Sequence, residues 1–250
     1  MSVVFAAGFL VPQQIVNQDY FRGVANAFPG AIFPNVPVVA DVRTRGNALA
    51  GQINALCGPG PIHIVAHSMA GLDSRFLLSQ NLLGLAGRIV SLSMIATPHW
   101  GSPVADLLAG PQPSPIDPRR LAYDTFVEMA AELGQPAGAL GDLTYGAAQR
   151  FNPQNPNVQG VNYYCYAGSG MESFFLKPAH FYIGLVGNTP EENANDGMVS
   201  VASASWTPLA EPPWNTDHFG EVGYNFSLAG SGSIFDHIAA YRRVLARAGA

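Results

Sequence analysis

Over the first hundred residues the apolar positions switch between two periods. Short β-prone runs occur at 2–7, 36–40, 62–67 and 88–97, with glycine or proline near their ends. Runs of that length and composition read as buried strands. Between them lie stretches with helical spacing. Asp19 to Phe28 carries Tyr20, Phe21, Val24, Ala25 and Phe28 on one stripe. Gly46 to Leu56 and the stretch from Ser68 to Leu78 follow the same period. Strand alternating with helix predicts an α/β architecture, a mostly parallel sheet with helices on both faces.

After residue 100 the pattern changes. Pro111, Pro113, Pro115 and Pro118 make a stiff connector, and Asp117-Pro118 suits a helix cap and first turn. Leu121 to Leu133 then places Ala122, Phe126, Met129, Ala130 and Leu133 at helical spacing before Gly134. Residues 138–160 read as short helix and loop. The segment 110–160 is therefore expected to be an insertion over the sheet's carboxyl edge, within one domain spanning 1–250. Val161 to Ala167 returns to a strand, 193–201 and 216–222 read as loops, and Phe235 to Ala248 as a closing amphipathic helix.

Composition narrows the class. Charged residues are 12% of the 250, against roughly 25% in an average soluble domain, so much of the surface is neutral or apolar. The net charge is −5 with basic residues scattered, which excludes a nucleic-acid footprint. No apolar run reaches the ~18 residues of a membrane span. The first basic side chain is Arg22, so the opening strand lacks the basic flank of a signal peptide. The expectation is an intracellular protein or a processed secreted one. Cys57 and Cys165 do not make a disulfide framework. Buried free thiols are expected, with a single bridge as the alternative.

The candidate chemistry centres on Ile62-His63-Ile64-Val65-Ala66-His67-Ser68-Met69-Ala70-Gly71. A β-branched strand turns into a helix over a serine flanked by small residues, which is the pattern of a nucleophile elbow. Alanine stands where glycine is usual. Such a turn holds Ser68 out at the sheet edge and offers the Met69 amide to a developing oxyanion. Gly8-Phe9, just after the first strand, makes the Phe9 amide the second candidate donor. A nucleophilic serine needs a base and an acid that orients it. His218 lies in a polar loop, Asn215-Thr216-Asp217-His218, near the C-terminus, and is the candidate base, with His99 as runner-up. His67 is expected to point away from Ser68, and His180 to lie in a loop. Asp196, in Asn193-Ala194-Asn195-Asp196-Gly197-Met198-Val199, is the candidate acid. Asp217 and Asp142 are alternatives, Asp217 being disfavoured because it directly precedes the base. No histidine–cysteine cluster or calcium-loop spacing is present, so neither metal nor cofactor is expected.

These motifs resemble the bacterial family I triacylglycerol lipases, which are α/β-hydrolases. The likeness runs through Gly8-Phe9-Leu10, Ala66-His67-Ser68-Met69-Ala70-Gly71 and Ala96-Thr97-Pro98-His99-Trp100-Gly101-Ser102. It continues in Gly146-Ala147-Ala148-Gln149-Arg150-Phe151-Asn152, Gly160-Val161-Asn162-Tyr163-Tyr164, Asn195-Asp196-Gly197-Met198-Val199 and Asp217-His218. The resemblance implies a catalytic triad of Ser68, Asp196 and His218. It also implies a helical lid at 118–134, with Phe126, Met129 and Leu133 facing an acyl pocket. Family members bind calcium through an aspartate two residues past the base, where this chain has Gly220, and through another upstream of the acid. No aspartate lies between Asp142 and Asp196. A cysteine common a few residues past the acid is replaced around Ala202. The expected activity is hydrolysis of lipid or other apolar esters, with transient contact to a lipid surface. Acyl transfer or polyester depolymerisation on the same triad is the enzymatic alternative. An inactive hydrolase fold used for binding is the non-enzymatic one. Acyl length and oligomeric state stay open.

Overall fold

The computed structural model describes residues 1–9, 19–132, 137–226 and 235–250, excluding the side chains of 129–132 and 137–138. Four parallel strands lie in chain order: β1 (Ser2–Ala6), β2 (Ile62–His67), β3 (Ile89–Ile95) and β4 (Asn162–Tyr166). In register, Val4 pairs with Ile64, Ala66 with Met94, and Met94 with Cys165. The side-chain period of two sorts these strands into two cores. Val4, Ala6, Ile62, Ile64, Ala66, Leu92 and Met94 face one buried cluster. Phe5, Val65 and Ile95 face the other.

Helices cover both faces. On the first, α1 (Val42–Leu56) contributes Leu49, Ala50 and Ile53, and α2 (Ala70–Ser79) contributes Leu77 and Leu78. Asp41 caps α1 by accepting from the Thr44 amide at 2.7 Å. Residues 96–161 separate β3 from β4. Their described helices include α3 (Pro103–Ala109), α4 (Arg120–Glu132) and α5 (Tyr145–Gln154). The described helices after β4 include α6 (Lys177–Val186) and α7 (His237–Ala248). On the second face α7 buries Ala240, Tyr241, Val244 and Leu245. Among the described residues no helix is long and apolar enough to cross a membrane.

Several elements differ from the sequence reading. No strand forms at 36–40, which is loop and turn. Pro34 and Pro37 bring no amide hydrogen to a ladder there. The edge contact to β1 is instead a single bridge at Ile32. The helix expected over 19–28 shrinks to Val24–Ala27, because Gly23 enters it in the left-handed region at φ 71°. His180 lies inside α6, not in a loop. Both cysteines are free, but Cys57 is only half-buried. The expected helix end at Leu133 falls outside the described residues.

Candidate active site

The turn after β2 builds the site. Ser68 sits at φ 57°, a left-handed conformation that costs a non-glycine residue roughly 1–2 kcal/mol. Neighbouring strands hold it there. The Ser68 amide donates to the Ile95 carbonyl at 2.8 Å, and Thr97 Oγ1 donates to the Ser68 carbonyl at 2.8 Å. Two glycines permit the crowding. A Cβ on Gly8 would meet the Ser68 Cβ at 2.6 Å, and one on Gly71 would meet Thr97 Oγ1 at 2.1 Å. Gly8 thus lies directly against the elbow, and Phe9 follows it in the chain. Met69 immediately precedes the first turn of α2.

The structure brings Ser68, His218 and Asp196 together from three distant parts of the chain. His218 Nε2 lies 3.0 Å from Ser68 Oγ, and His218 Nδ1 lies 2.8 Å from Asp196 Oδ2. The other oxygen of Asp196 accepts from the Met198 and Val199 amides at 2.8 and 2.7 Å. The His218 amide donates to the Asp196 carbonyl at 3.0 Å, tying the two loops together. Asp196 is therefore fixed at both oxygens, and an Nδ1–H on His218 leaves Nε2 as an acceptor facing the serine hydroxyl.

The alternatives lie elsewhere. Asp217 accepts from the Ser173, Phe219 and Gly220 amides and so caps its own turn. Asp142 accepts from the Val42 amide at the start of α1. His99 is buried at the end of β3, where Arg75 Nη1 lies 3.1 Å from its Nδ1. His63 pairs with Ser91 across the sheet at 2.8 Å.

Two further side chains, His67 and Glu221, reach the site. His67 does not idle on the far side of the elbow: its ring centroid is 4.6 Å from that of His218. Glu221 Oε2 lies 2.9 Å from His67 Nε2 and 3.8 Å from His218 Nδ1. Tyr20 Oη closes the chain, 2.7 Å from His67 Nδ1. Burial, joined by the nearby Asp196 and Asp217 carboxylates, pushes the Glu221 carboxyl well above the usual range. Burial also holds His67 well below an ordinary imidazole. Glu221 stands three residues after His218, in the 3₁₀ turn Gly220–Val222. That i, i+3 spacing was the available sequence signal.

His67, His218 and Glu221 place three ligand-type atoms within 4.8 Å of one another. These atoms are already engaged with each other, with Tyr20, with Ser68 and with Asp196. The position at which the resembled lipases carry a calcium-binding aspartate is tightly packed here. A Cβ on Gly220, where the resemblance calls for an aspartate, would meet Thr216 Oγ1 at 2.0 Å.

The pocket region is closed over. Ser68 is only 6% exposed, and Phe126 of α4 is buried in the same cluster as Phe9 and Met69. The Met129 side chain and Leu133 lie outside the described residues. A groove of about 550 Å³ bordered by Trp100, Tyr145, Tyr182 and Ile183 is lined by none of the three clustered residues Ser68, Asp196 and His218.

A parallel sheet with a strained serine after one strand, and an acid and a histidine delivered by later loops, defines the α/β-hydrolase fold class. Comparison with known proteins agrees. The sequence is 24% identical over 273 aligned positions to a triacylglycerol lipase of Vibrio cholerae, covering 96% of this chain and 85% of that protein. The structure is similar to the mature Bacillus licheniformis lipase BlEst2, with a TM-score of 0.73 and 20% identity over 99% of this chain and 91% of that one. The Staphylococcus hyicus lipase follows at a TM-score of 0.67 and 16% identity, covering 99% and 96%. No protein-family model matches the sequence. The chain thus has the α/β-hydrolase fold of these lipases, and the likeness to lipases that its motifs carry is borne out.

Proposed function

We propose that the protein is a serine carboxylic ester hydrolase acting on lipid or other apolar esters through an acyl-enzyme. The observation that carries this is the unbroken chain from Ser68 Oγ through His218 to Asp196, at 3.0 and 2.8 Å. In this reading Ser68 Oγ attacks the ester carbonyl while His218 Nε2 takes its proton. Asp196 holds the Nδ1–H tautomer and stabilises the imidazolium. The Phe9 and Met69 amides receive the oxyanion, a contribution worth about 3–4 kcal/mol per donor in serine hydrolases. His218 returns the proton to the leaving alcohol, and water then repeats the sequence on the acyl-enzyme.

The segment 110–160 is read as the cap over this site, with α4 as its moving part. The burial of Phe126 beside the Phe9 and Met69 cluster supports a closed cap, as does the near-complete burial of Ser68. Leu121 and Val127 of α4 are exposed, an apolar outer surface suited to a lipid face. Lid movement then exposes the site to substrate.

The test is acid release from one ester series taken through its solubility limit, with wild type and Phe126→Ser. The expected result is hydrolysis throughout, with a disproportionate rise once droplets form. Phe126→Ser should flatten the rise while soluble short-chain turnover persists. A smooth curve in both proteins would make α4 a fixed wall, and no acid release from the folded wild type would overturn the hydrolase reading itself.

A further inference from the structure

The groove bordered by Trp100 and Tyr182 stands apart from Ser68, Asp196 and His218, and the reaction described above makes no use of it. Its volume, about 550 Å³, is that of a small-molecule site. One wall is the loop after β3 and the start of α3, with Trp100 and Asp106. Tyr145, the first residue of α5, packs against that loop at Gly101. Gly101 has φ 86°, and a Cβ there would meet the Tyr145 amide nitrogen at 2.6 Å. The Tyr145 amide in turn donates to the Asp106 carboxylate at 3.2 Å. Another wall is α6, with Tyr182, Ile183 and Val186, and Glu192 follows it. Three aromatic side chains, two carboxylates and, among the described residues, no basic side chain thus line one cavity.

The serines of the groove are already engaged. Ser102 Oγ donates to the Met198 carbonyl and Ser203 Oγ to the Gly101 carbonyl, each at 2.6 Å. Ser200 Oγ accepts from the Ser203 amide at 3.1 Å. Arg119 acts on Tyr182 electrostatically, but Asp117 holds it at 2.7 Å. Negative charge and ring faces are therefore what the groove offers a ligand. That lining selects among cations. A divalent metal needs several ligand atoms in one shell. Among the described residues, only His67, His218 and Glu221 bring three such side chains that close. A primary ammonium is compact, strongly hydrated and carries three N–H donors to satisfy. A quaternary ammonium has no N–H and a diffuse charge, so ring faces backed by carboxylates suffice for it. The cavity is larger than such a head alone, and Ile183 and Val186 make part of the remainder apolar.

We propose that this groove binds an alkyltrimethylammonium compound. The head lies against Trp100, Tyr145 and Tyr182, Asp106 and Glu192 balance its charge, and a short alkyl substituent runs along Ile183 and Val186. The inference goes beyond the hydrolase reading and does not depend on it, because binding is measured without turnover.

The test is calorimetric titration of the whole chain with choline, hexyltrimethylammonium and 3,3-dimethylbutan-1-ol. The last has the shape of choline without its charge. Wild type should bind choline saturably, with a Kd on the order of 1 mM or lower. Hexyltrimethylammonium should bind several-fold more tightly through its buried chain, and the neutral alcohol about tenfold more weakly than choline. Trp100→Leu should weaken both cations about tenfold. Asp106→Asn should weaken them about fivefold, and it keeps an oxygen for the Tyr145 amide, so it reports even if Trp100→Leu fails to fold. Melting temperature checks each variant. No saturable binding of either cation, equal affinity for choline and the neutral alcohol, or cation affinities unmoved by Asp106→Asn would overturn the proposal. Sedimentation with phosphatidylcholine vesicles by a protein that binds neither soluble cation would give this face to a lipid surface instead, and would overturn it too.

Discussion

Two buried polar clusters sit at the carboxyl ends of neighbouring strands, and each contains a histidine. After β2, His218 stands between Ser68 and Asp196, with one acceptor nitrogen turned to a hydroxyl. After β3, His99 stands against Arg75, whose guanidinium lies 3.6 Å from the Trp206 ring. Arg75 also donates to Asn152 Oδ1 and to the Asn155 carbonyl, both at 2.9 Å. None of these contacts is a carboxylate, and burial brings the Arg75 guanidinium down to about 10. The same residue type is thus placed for opposite ends. Beside a carboxylate, an imidazole can take a proton at little cost. Beside a buried cation it cannot, and burial together with Arg75 holds His99 well below an ordinary imidazole. The second cluster is a rivet between β3, α2 and α5, and the first is, in the function proposed above, a proton path.

Substitutions sharpen that contrast. The largest effect is expected from His218→Ala, which removes the proposed base: kcat on a soluble ester should fall on the order of 10⁴-fold with the melting temperature nearly unchanged. A loss of less than tenfold would move the base elsewhere. Asp217→Asn comes next, and its effect should be on stability. Asp217 is fully buried and accepts three backbone amides, so the amide costs about 1–2 kcal/mol, or roughly 2–8 °C, while kcat stays within a few-fold. A collapse of kcat without loss of stability would make Asp217 the orienting acid. His99→Gln should change kcat least. Its trace should be in the pH dependence of melting. The folded imidazole refuses a proton that the unfolded chain accepts below about pH 6.5, so this part of the stability is full above that pH and is lost as pH falls. Wild type should therefore lose melting temperature more steeply than His99→Gln between pH 6.5 and 5. Parallel curves would mean that His99 titrates in the folded protein.

The strongest parts of the site were readable because they are local. A β-branched run ending in small residues around Ser68 needs only its neighbours to make the turn, and Asn195-Asp196-Gly197 carries its own loop chemistry. Asp217 could be set aside by adjacency alone. The Tyr20–His67–Glu221 chain was missed because its members lie 47 and 154 positions apart, and no local pattern marks a contact of that range. His67 was misread through its neighbour. Strand alternation sends it to the face opposite Ser68, but the left-handed turn at Ser68 breaks that alternation and lets both side chains meet the same imidazole. The strand expected at 36–40 failed for a simpler reason, since Pro34 and Pro37 outweigh three valines and an alanine.

The account stands on Ser68 being the one activated nucleophile. The most direct measurement is to treat the folded protein with a fluorophosphonate, which phosphonylates an activated serine, and to map the modified residue by peptide mass spectrometry. The account predicts stoichiometric modification of Ser68, absent in Ser68→Ala and slowed on the order of a thousandfold or more in His218→Ala. Modification of another residue, or equal labelling rates in wild type and His218→Ala, would contradict it.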